Sequence, residues 1–349
     1  MSNPSPLPEK LKSVQIEPTT YCNLKCAGCN RTYRESKETL DVKHMPLETF
    51  RAIIDNLPPG EICWLNGYGE PTLNTDLPEF VQIAKTKFDQ VYCISNALTR
   101  GPEFYRELEA AGLGELHLSV DSLNPEMADL VRFGTDTEKL RRRLREIRAA
   151  ISLDIIINVV VSDKNMFDVP NTLSHLNEIG GFRVGFADFG AFAEEGYDYG
   201  DWFTNWDTKM TFNQMIEPLT EKFTNVSFIN TRFKLRRRKR NAQRCDRPFL
   251  HPAVTVDGFL TPCCVELHDT GHYSNTNVAM MPYAEAWESK SVSRWISAYQ
   301  EAEPNICKEC CLNPWRSEKD YRSWWERLSG ARPEPAKSPT AAAEAPETA

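Results

Sequence analysis

Three thiols crowd one short stretch of the chain, Cys22, Cys26 and Cys29, within Thr19-Thr20-Tyr21-Cys22-Asn23-Leu24-Lys25-Cys26-Ala27-Gly28-Cys29-Asn30. Three thiolates on one tight loop suit three irons of a [4Fe-4S] cube and leave the fourth iron open to a ligand that brings its own amino and carboxylate groups. A zinc knuckle, which would want a fourth Cys or His close by, and three unrelated thiols are the alternatives. A second group lies near the other end: Cys245, Cys263, Cys264, Cys307, Cys310 and Cys311. Eleven cysteines in a chain without a secretion signal argue for metal ligation over disulfides, and their clustering makes two metal sites the natural count. Cys63 and Cys93 stand alone inside apolar runs and read as small core residues.

The first cysteine group must be held by something. From Val14 to Phe189 short β-branched runs alternate with amphipathic stretches, the pattern of repeated βα units. Strands are expected over Ser13 to Glu17, Glu61 to Asn66, Val91 to Ser95, Glu115 to Val120, Leu153 to Val161 and Phe182 to Asp188. Helices are expected over Leu47 to Asn56, Leu77 to Lys87, Pro102 to Ala111, Glu138 to Ala150 and Phe167 to Ile179. Right-handed crossovers then give a parallel sheet curling toward a barrel, with functional residues in the loops after the strands. The expected fold is α/β, a partial (β/α)6 TIM-like barrel with a small C-terminal cysteine-rich α+β iron-sulfur module. The expected division is a flexible N-terminus over 1–12, the barrel over 13–207, the cysteine-rich module over 208–314, and a C-terminal helix with a disordered tail over 315–349. Ala331 to Ala349 holds no aromatic residue and is mostly Ala, Pro, Glu, Ser and Thr.

Bulk properties exclude several classes. The net charge of −8 argues against general nucleic-acid binding, and the apolar runs are too short to span a bilayer. Met1 to Lys12 has no apolar signal core, so the cytoplasm is the expected compartment.

The thiol loop after a first strand resembles the radical S-adenosylmethionine superfamily, over roughly residues 13 to 312. The resemblance implies S-adenosylmethionine and a [4Fe-4S] cluster on Cys22, Cys26 and Cys29. It also implies a 5'-deoxyadenosyl radical that abstracts a substrate hydrogen, the cofactor supplying the difficult chemistry. Asn66-Gly67-Tyr68-Gly69-Glu70-Pro71 is similar to the family's glycine-glycine-glutamate motif, which would place Gly67, Gly69 and Glu70 against the methionine ammonium. Asn96, Ser119 and Asp121 close later strands and resemble positions that contact the ribose or the methionine carboxylate. Arg132, in Leu130-Val131-Arg132-Phe133-Gly134, looks like the family's carboxylate-binding arginine. Taken singly, these residues also read as turn glycines, helix caps and a surface charge. One departure stands out: the residue before the third cysteine is usually aromatic in the family and packs near the adenine, and here it is Gly28.

Cys245, Gly258, Cys263 and the run Cys307-Lys308-Glu309-Cys310 resemble the auxiliary-cluster module called twitch, the shortened SPASM domain. The resemblance implies one auxiliary [4Fe-4S] cluster on Cys245, Cys263, Cys307 and Cys310, presented by a hairpin over Val254 to Gly258. Cys264 and Cys311 could replace their neighbours as ligands, or serve as hydrogen donors, and structural zinc is the other reading of the site.

The expected substrate is a small polyhydroxylated molecule: an amino sugar, aminocyclitol, sugar acid or nucleoside. The barrel's start near Ser13 leaves no room for a leader-peptide domain ahead of it. The loop Gly190 to Asp207 offers acids and aromatic rings without Lys or Arg, although it also reads as a solvated loop. Dehydrogenation, epimerisation and decarboxylation are the outcomes considered. A peptide-modifying maturase and a non-catalytic iron-sulfur protein are the alternatives. The basic run Arg236-Arg237-Arg238-Lys239-Arg240 could dock an acidic flavodoxin or ferredoxin as electron donor, could contact an acidic substrate, or could be a plain solvated helix face.

Overall fold

A computed structural model describes residues 7–189, 206–231, 247–264, 267 and 276–301. Chain order begins with strand β1 (Leu11–Ile16), the two-residue strand β2 (Lys25–Cys26), and helices α1 (Asn30–Ser36) and α2 (Leu47–Asn56). Next come β3 (Gly60–Leu65), α3 (Leu77–Lys85), β4 (Phe88–Ser95), α4 (Pro102–Ala110), β5 (Glu115–Ser119), α5 (Pro125–Val131), β6 (Arg132–Phe133) and α6 (Thr137–Ala150). The series continues through β7 (Asp154–Val161), α7 (Val169–Ile179), β8 (Phe182–Asp188), α8 (Trp206–Lys222) and β9 (Val226–Phe228). It ends with α9 (Arg247–Leu250), β10 (Ala253–Val254), β11 (Leu260–Thr261), α10 (Tyr283–Glu288) and α11 (Lys290–Glu301).

Nine strands form one open sheet in the order β11-β10-β1-β3-β4-β5-β7-β8-β9, parallel throughout except at the β10–β11 hairpin. The expected partial barrel is present, and its six strands are β1, β3, β4, β5, β7 and β8. Two features extend it. The stretch from Thr208, expected to begin a separate module, instead contributes α8 and then β9, which pairs parallel to β8 through Phe182↔Val226. At the opposite edge β10 pairs parallel to β1 through Gln15↔Ala253 and Ile16↔Val254. Both additions satisfy main-chain groups that a bare six-strand sheet would leave open along its edges.

Period-two alternation divides the two faces of the sheet. Cys63, Leu65, Val91, Cys93, Leu116, Leu118, Ile155, Ile157 and Val159 point into the core beneath the helices, where they join Phe50, Ile53, Phe80, Leu108, Leu144 and Leu173. Helix α2 supplies Phe50, Ile53 and Ile54 at the i, i+3, i+4 spacing that makes one apolar stripe. Among the described residues no helix packs on the other face, which carries Trp64, Tyr92, His117 and Asn158. Asn158 explains why the otherwise apolar strand Asp154–Val161 is interrupted: that position faces away from the core.

Elements α5 and β6 lie in a stretch the periodicity left without structure. Asn124 caps α5 by accepting hydrogen bonds from the Glu126 and Met127 N–H groups, with Pro125 at its first turn, so an Asn-Pro start signal was present there. Strand β6 then pairs antiparallel with β2, setting Cys26 opposite Arg132 and Lys25 opposite Phe133.

Candidate functional site

The ends of β1, β3, β4 and β5 converge, and main-chain contacts lock their loops together. The cysteine loop is tied on one side by Ala27 N–H to the Val131 carbonyl (3.1 Å) and on the other by Glu70 N–H to the Tyr21 carbonyl (2.7 Å). Arg31, almost fully buried, donates from Nε to the Thr20 carbonyl at 2.7 Å and pairs with Glu35 at 3.0 Å. Cys22, Cys26 and Cys29 are all partly buried and unbridged. Burial pushes all three thiols up, Cys29 to about 11, and the nearby Cys26 raises Cys22 and Cys29 further. A thiol site of this kind holds its protons until a metal displaces them.

The glycines serve packing more than ligand approach. A Cβ on Gly69 would lie 2.2 Å from the Thr19 carbonyl oxygen and 2.6 Å from that of Tyr21, so only glycine lets this loop lie against the cysteine loop. A Cβ on Gly67 would lie 2.4 Å from the Cγ of Glu17. Close approach of chain to chain is thus reason enough for glycine at both positions.

Glu70 turns inward. It is 3% exposed; Oε1 accepts from Thr72 N–H (3.1 Å), the Thr72 hydroxyl (2.6 Å) and the Ser95 hydroxyl (2.8 Å), and Oε2 accepts from Asn96 N–H (2.7 Å). Burial pushes its carboxyl above the usual range while these donors oppose the shift. It pins the end of β3 to the end of β4. Asn96 carries the tie onward, its Nδ2 donating to Asn23 Oδ1 in the cysteine loop at 2.7 Å. Asn66, which continues the helix-free face after Trp64, has a buried Oδ1 with no hydrogen-bond partner, an acceptor waiting for a donor.

Asp121 accepts from Val160 N–H at 2.7 Å and from Arg132 Nη1 at 3.2 Å. Burial works against the charge on Arg132, and Cys26 and Asp121 outweigh it, so the guanidinium is held firmly protonated beside the thiols. Ser119 ends β5 opposite Asn158. The structure thus brings Cys22, Cys26, Cys29, Gly67, Gly69, Glu70, Asn96, Ser119, Asp121 and Arg132 to one mouth of the sheet.

Gly28 has a partner that sequence reading did not find. A Cβ there would lie 2.1 and 2.2 Å from two ring carbons of Phe189, the residue just beyond β8, whose N–H bonds the Val161 carbonyl at 2.9 Å. The aromatic ring missing from the cysteine loop is supplied across the mouth from another strand. Below it, on the helix-free face, Trp64 meets Tyr92 and His117 edge-on at 5.0 Å, and His117 contacts Glu115 (3.3 Å) and Asn158 (3.2 Å). Burial lowers the His117 imidazole, so it stands neutral near pH 7.

At the far edge, β10 and β11 form the expected hairpin, turned by Gly258 at φ +87°. Cys263 and Cys264 follow β11 directly, and Arg247 Nη1 donates to Cys264 Sγ at 3.7 Å. Cys245, Cys307, Cys310 and Cys311 lie outside the described residues, as do the acidic loop from Gly190 to Asn205 and the basic run around Arg236–Arg240. No described helix is long and apolar enough to cross a membrane.

The residues present fit an iron-sulfur centre with a chelating ligand by their chemistry: three thiols on one clamped loop, an arginine fixed beside Cys26, and an orphan acceptor on Asn66, although among the described residues no three His, Cys, Asp or Glu side chains are gathered closely enough to hold a metal as they stand.

Comparison with known proteins bears on the same residues. The radical SAM superfamily model matches residues 16–176, and the SPASM iron-sulfur cluster-binding domain matches residues 245–311. A probable GTP 3',8-cyclase of Methanococcus maripaludis is 26% identical over 175 residues, covering 49% of this chain and 57% of that protein. The mycofactocin maturase of Mycolicibacterium smegmatis is 30% identical over 151 residues, covering 43% and 38%. The chain therefore spans about half, or less, of these relatives. The crystal structure of Streptococcus suis SuiB bound to S-adenosylmethionine superposes with a TM-score of 0.65 at 14% identity, over 88% of this chain and 72% of that one, which is a likeness of fold. S-adenosylmethionine and [4Fe-4S] clusters, one of them auxiliary, are the cofactors the two matched domains imply. The chain belongs to the radical SAM superfamily and carries a SPASM iron-sulfur cluster-binding domain.

Proposed function

We propose that the protein is a radical S-adenosylmethionine enzyme acting on a small polyhydroxylated molecule, with dehydrogenation, epimerisation or decarboxylation as the outcome. The observation that carries the enzyme reading is the clamping of a three-thiol loop against the loops that follow β3 and β4. When bound, the cluster and S-adenosylmethionine supply a 5'-deoxyadenosyl radical that removes a hydrogen atom from the substrate.

The chain's own residues do the holding and the orienting. Cys22, Cys26 and Cys29 hold the cluster, and Arg132 sets a fixed positive charge where the methionine carboxylate would lie. Because Glu70 is committed to its four donors, the ammonium falls to the Gly67–Gly69 main chain and to Asn66 Oδ1. Phe189 offers an aromatic face for the adenine. Cys245, Cys263, Cys307 and Cys310 hold the auxiliary cluster. Cys264 stands next to Cys263 with its sulfur accepting from Arg247, a setting that suits it to replacing Cys263 as a ligand.

For the substrate, the helix-free face supports the small-molecule reading. Trp64, Tyr92, a neutral His117 and Asn158 combine apolar ring faces with hydrogen-bonding edges, which suits hydroxyl-bearing rings. A flavodoxin or ferredoxin would deliver the electron. The second reading, a peptide-modifying maturase, is favoured by the likeness to SuiB, a structure of which also exists bound to its precursor peptide SuiA.

The test is anaerobic reconstitution, reduction with dithionite and chromatography for 5'-deoxyadenosine, with iron counted. Cleavage with about eight irons per chain, as two cubes require, is the expected result. A fully loaded protein that binds no S-adenosylmethionine would remove the reading.

A further inference from the structure

Glu17 lies beyond the last residue of β1, is fully buried, and stands outside the cysteine loop and the Gly67–Glu70 loop. Its Oε1 accepts the Tyr68 N–H at 2.7 Å, in the middle of the glycine loop. Its Oε2 accepts the Val256 N–H at 3.2 Å, in the turn between β10 and β11, seven residues before Cys263. The same residue's own N–H bonds the Val254 carbonyl at 3.0 Å, and Gly67 sits directly on its side chain. One carboxylate is thus shared between the loop proposed to receive the methionine ammonium and the hairpin that leads into the second cysteine group.

We propose that Glu17 is a positioning residue that couples the Gly67–Glu70 loop to the β10–β11 hairpin, so that occupancy of the S-adenosylmethionine site is felt at the auxiliary-cluster module. A buried carboxylate that loses a main-chain donor loses part of what offsets its desolvation. Displacing the hairpin therefore loosens the seat of the glycine loop, and ordering the glycine loop tightens the hairpin. Such coupling is reciprocal by thermodynamic necessity. The surface ion pair from Lys43 to Asp257 (2.8 Å) also reaches this turn, but both groups are substantially exposed and carry little coupling.

This inference rests on the proposed cofactor site, and the experiment separates the two. The reconstituted full chain, with both clusters, is compared with and without S-adenosylmethionine by anaerobic hydrogen exchange and by calorimetry. In the wild type, ligand slows exchange both in residues 60–75 and, remotely, in residues 252–262. Glu17→Gln keeps the size but turns an N–H2 group toward one of the two donors. It should abolish the remote protection while residues 60–75 still respond, and weaken binding about tenfold, the scale of one lost charge-assisted hydrogen bond. Glu17→Asp, which keeps the charge but withdraws it by one methylene, should also lose the remote protection, and Lys43→Ala should retain it. Iron content and the melting temperature show whether each variant is folded and loaded. Wild-type protection confined to residues 60–75, or remote protection persisting in Glu17→Gln, overturns the coupling. A fully loaded wild type that binds no S-adenosylmethionine overturns the cofactor reading and the coupling with it.

Discussion

The two cysteine groups are built on opposite plans. The first sits on a loop that four strand ends clamp from all sides, through Tyr21 to Glu70, Ala27 to Val131, Asn23 to Asn96 and Cys26 opposite Arg132. Of the second group, Cys263 and Cys264 follow a hairpin whose strands are two residues each at the edge of the sheet, held by the pairing of β10 with β1 and by the Glu17 carboxylate. A site held by many non-local contacts is preorganised by the fold, whereas one on a short edge hairpin gains its order from whatever binds it. Removing a ligand cysteine should therefore have different consequences in the two places.

The largest effect expected is from Cys26→Ala: no 5'-deoxyadenosine under dithionite, and loss of about four of about eight irons. Cys263→Ala/Cys264→Ala, which removes the substitute ligand as well, should lose the other four, yet still cleave S-adenosylmethionine within about threefold of the wild type, while substrate turnover fails. Equal loss of cleavage in both variants would mean that the two regions are not separable as drawn.

A sharper probe lies across the mouth. Phe189→Ala should weaken S-adenosylmethionine binding about three- to tenfold, the scale of an aromatic contact. Gly28→Phe alone should weaken it more, because the new side chain and the Phe189 ring claim the same space. The double variant Gly28→Phe/Phe189→Ala should recover most of the affinity by calorimetry. If the double variant is no better than either single one, Phe189 only fills space beside the loop.

The smallest effects concern backbone strain. Ala97, just past β4 beside Asn96, holds φ +63°, while the hairpin turn uses glycine at its positive φ. Ala97→Gly should stabilise the protein to heat by about 0 to 1 kcal/mol, the relief of left-handed strain less the entropy of glycine. Gly258→Ala should cost about 1 to 2 kcal/mol, since its Cβ would also press on Asn277 and Ala279.

Much of the barrel was legible because alternating Val, Ile and Leu runs announce parallel strands: Phe182–Asp188 and Leu47–Asn56 fall on the expected bounds, and the other expected elements end within a few residues of them. The β9 extension was not legible. Its strand is three residues long and follows a helix that carries Pro218 in its interior, so neither period stands out. At the site, spacing singled out the thiol loop, while the glycines and Arg132 were expected from the family resemblance, and the structure sets these segments against one another. The inward commitment of Glu70 and the double duty of Glu17 depend on main-chain N–H groups from segments distant in sequence, which no spacing displays. Gly28 was visible as a gap, but only the fold shows that Phe189 fills it.

The pairing of β1 with β10 also sets an order of events during synthesis. Strand β1 leaves the ribosome before β10, and the sheet can assemble outward from it through β3 to β9 before Ala253 exists as a folded partner. Until then the outer edge of β1, with the Gln15 and Glu17 N–H groups that later bond Pro252 and Val254, is an open template for any extended chain. Closing that edge spans more than two hundred residues of sequence, a slow, long-range step. Chains interrupted before the hairpin should therefore be far more prone to edge-to-edge association than the full-length protein.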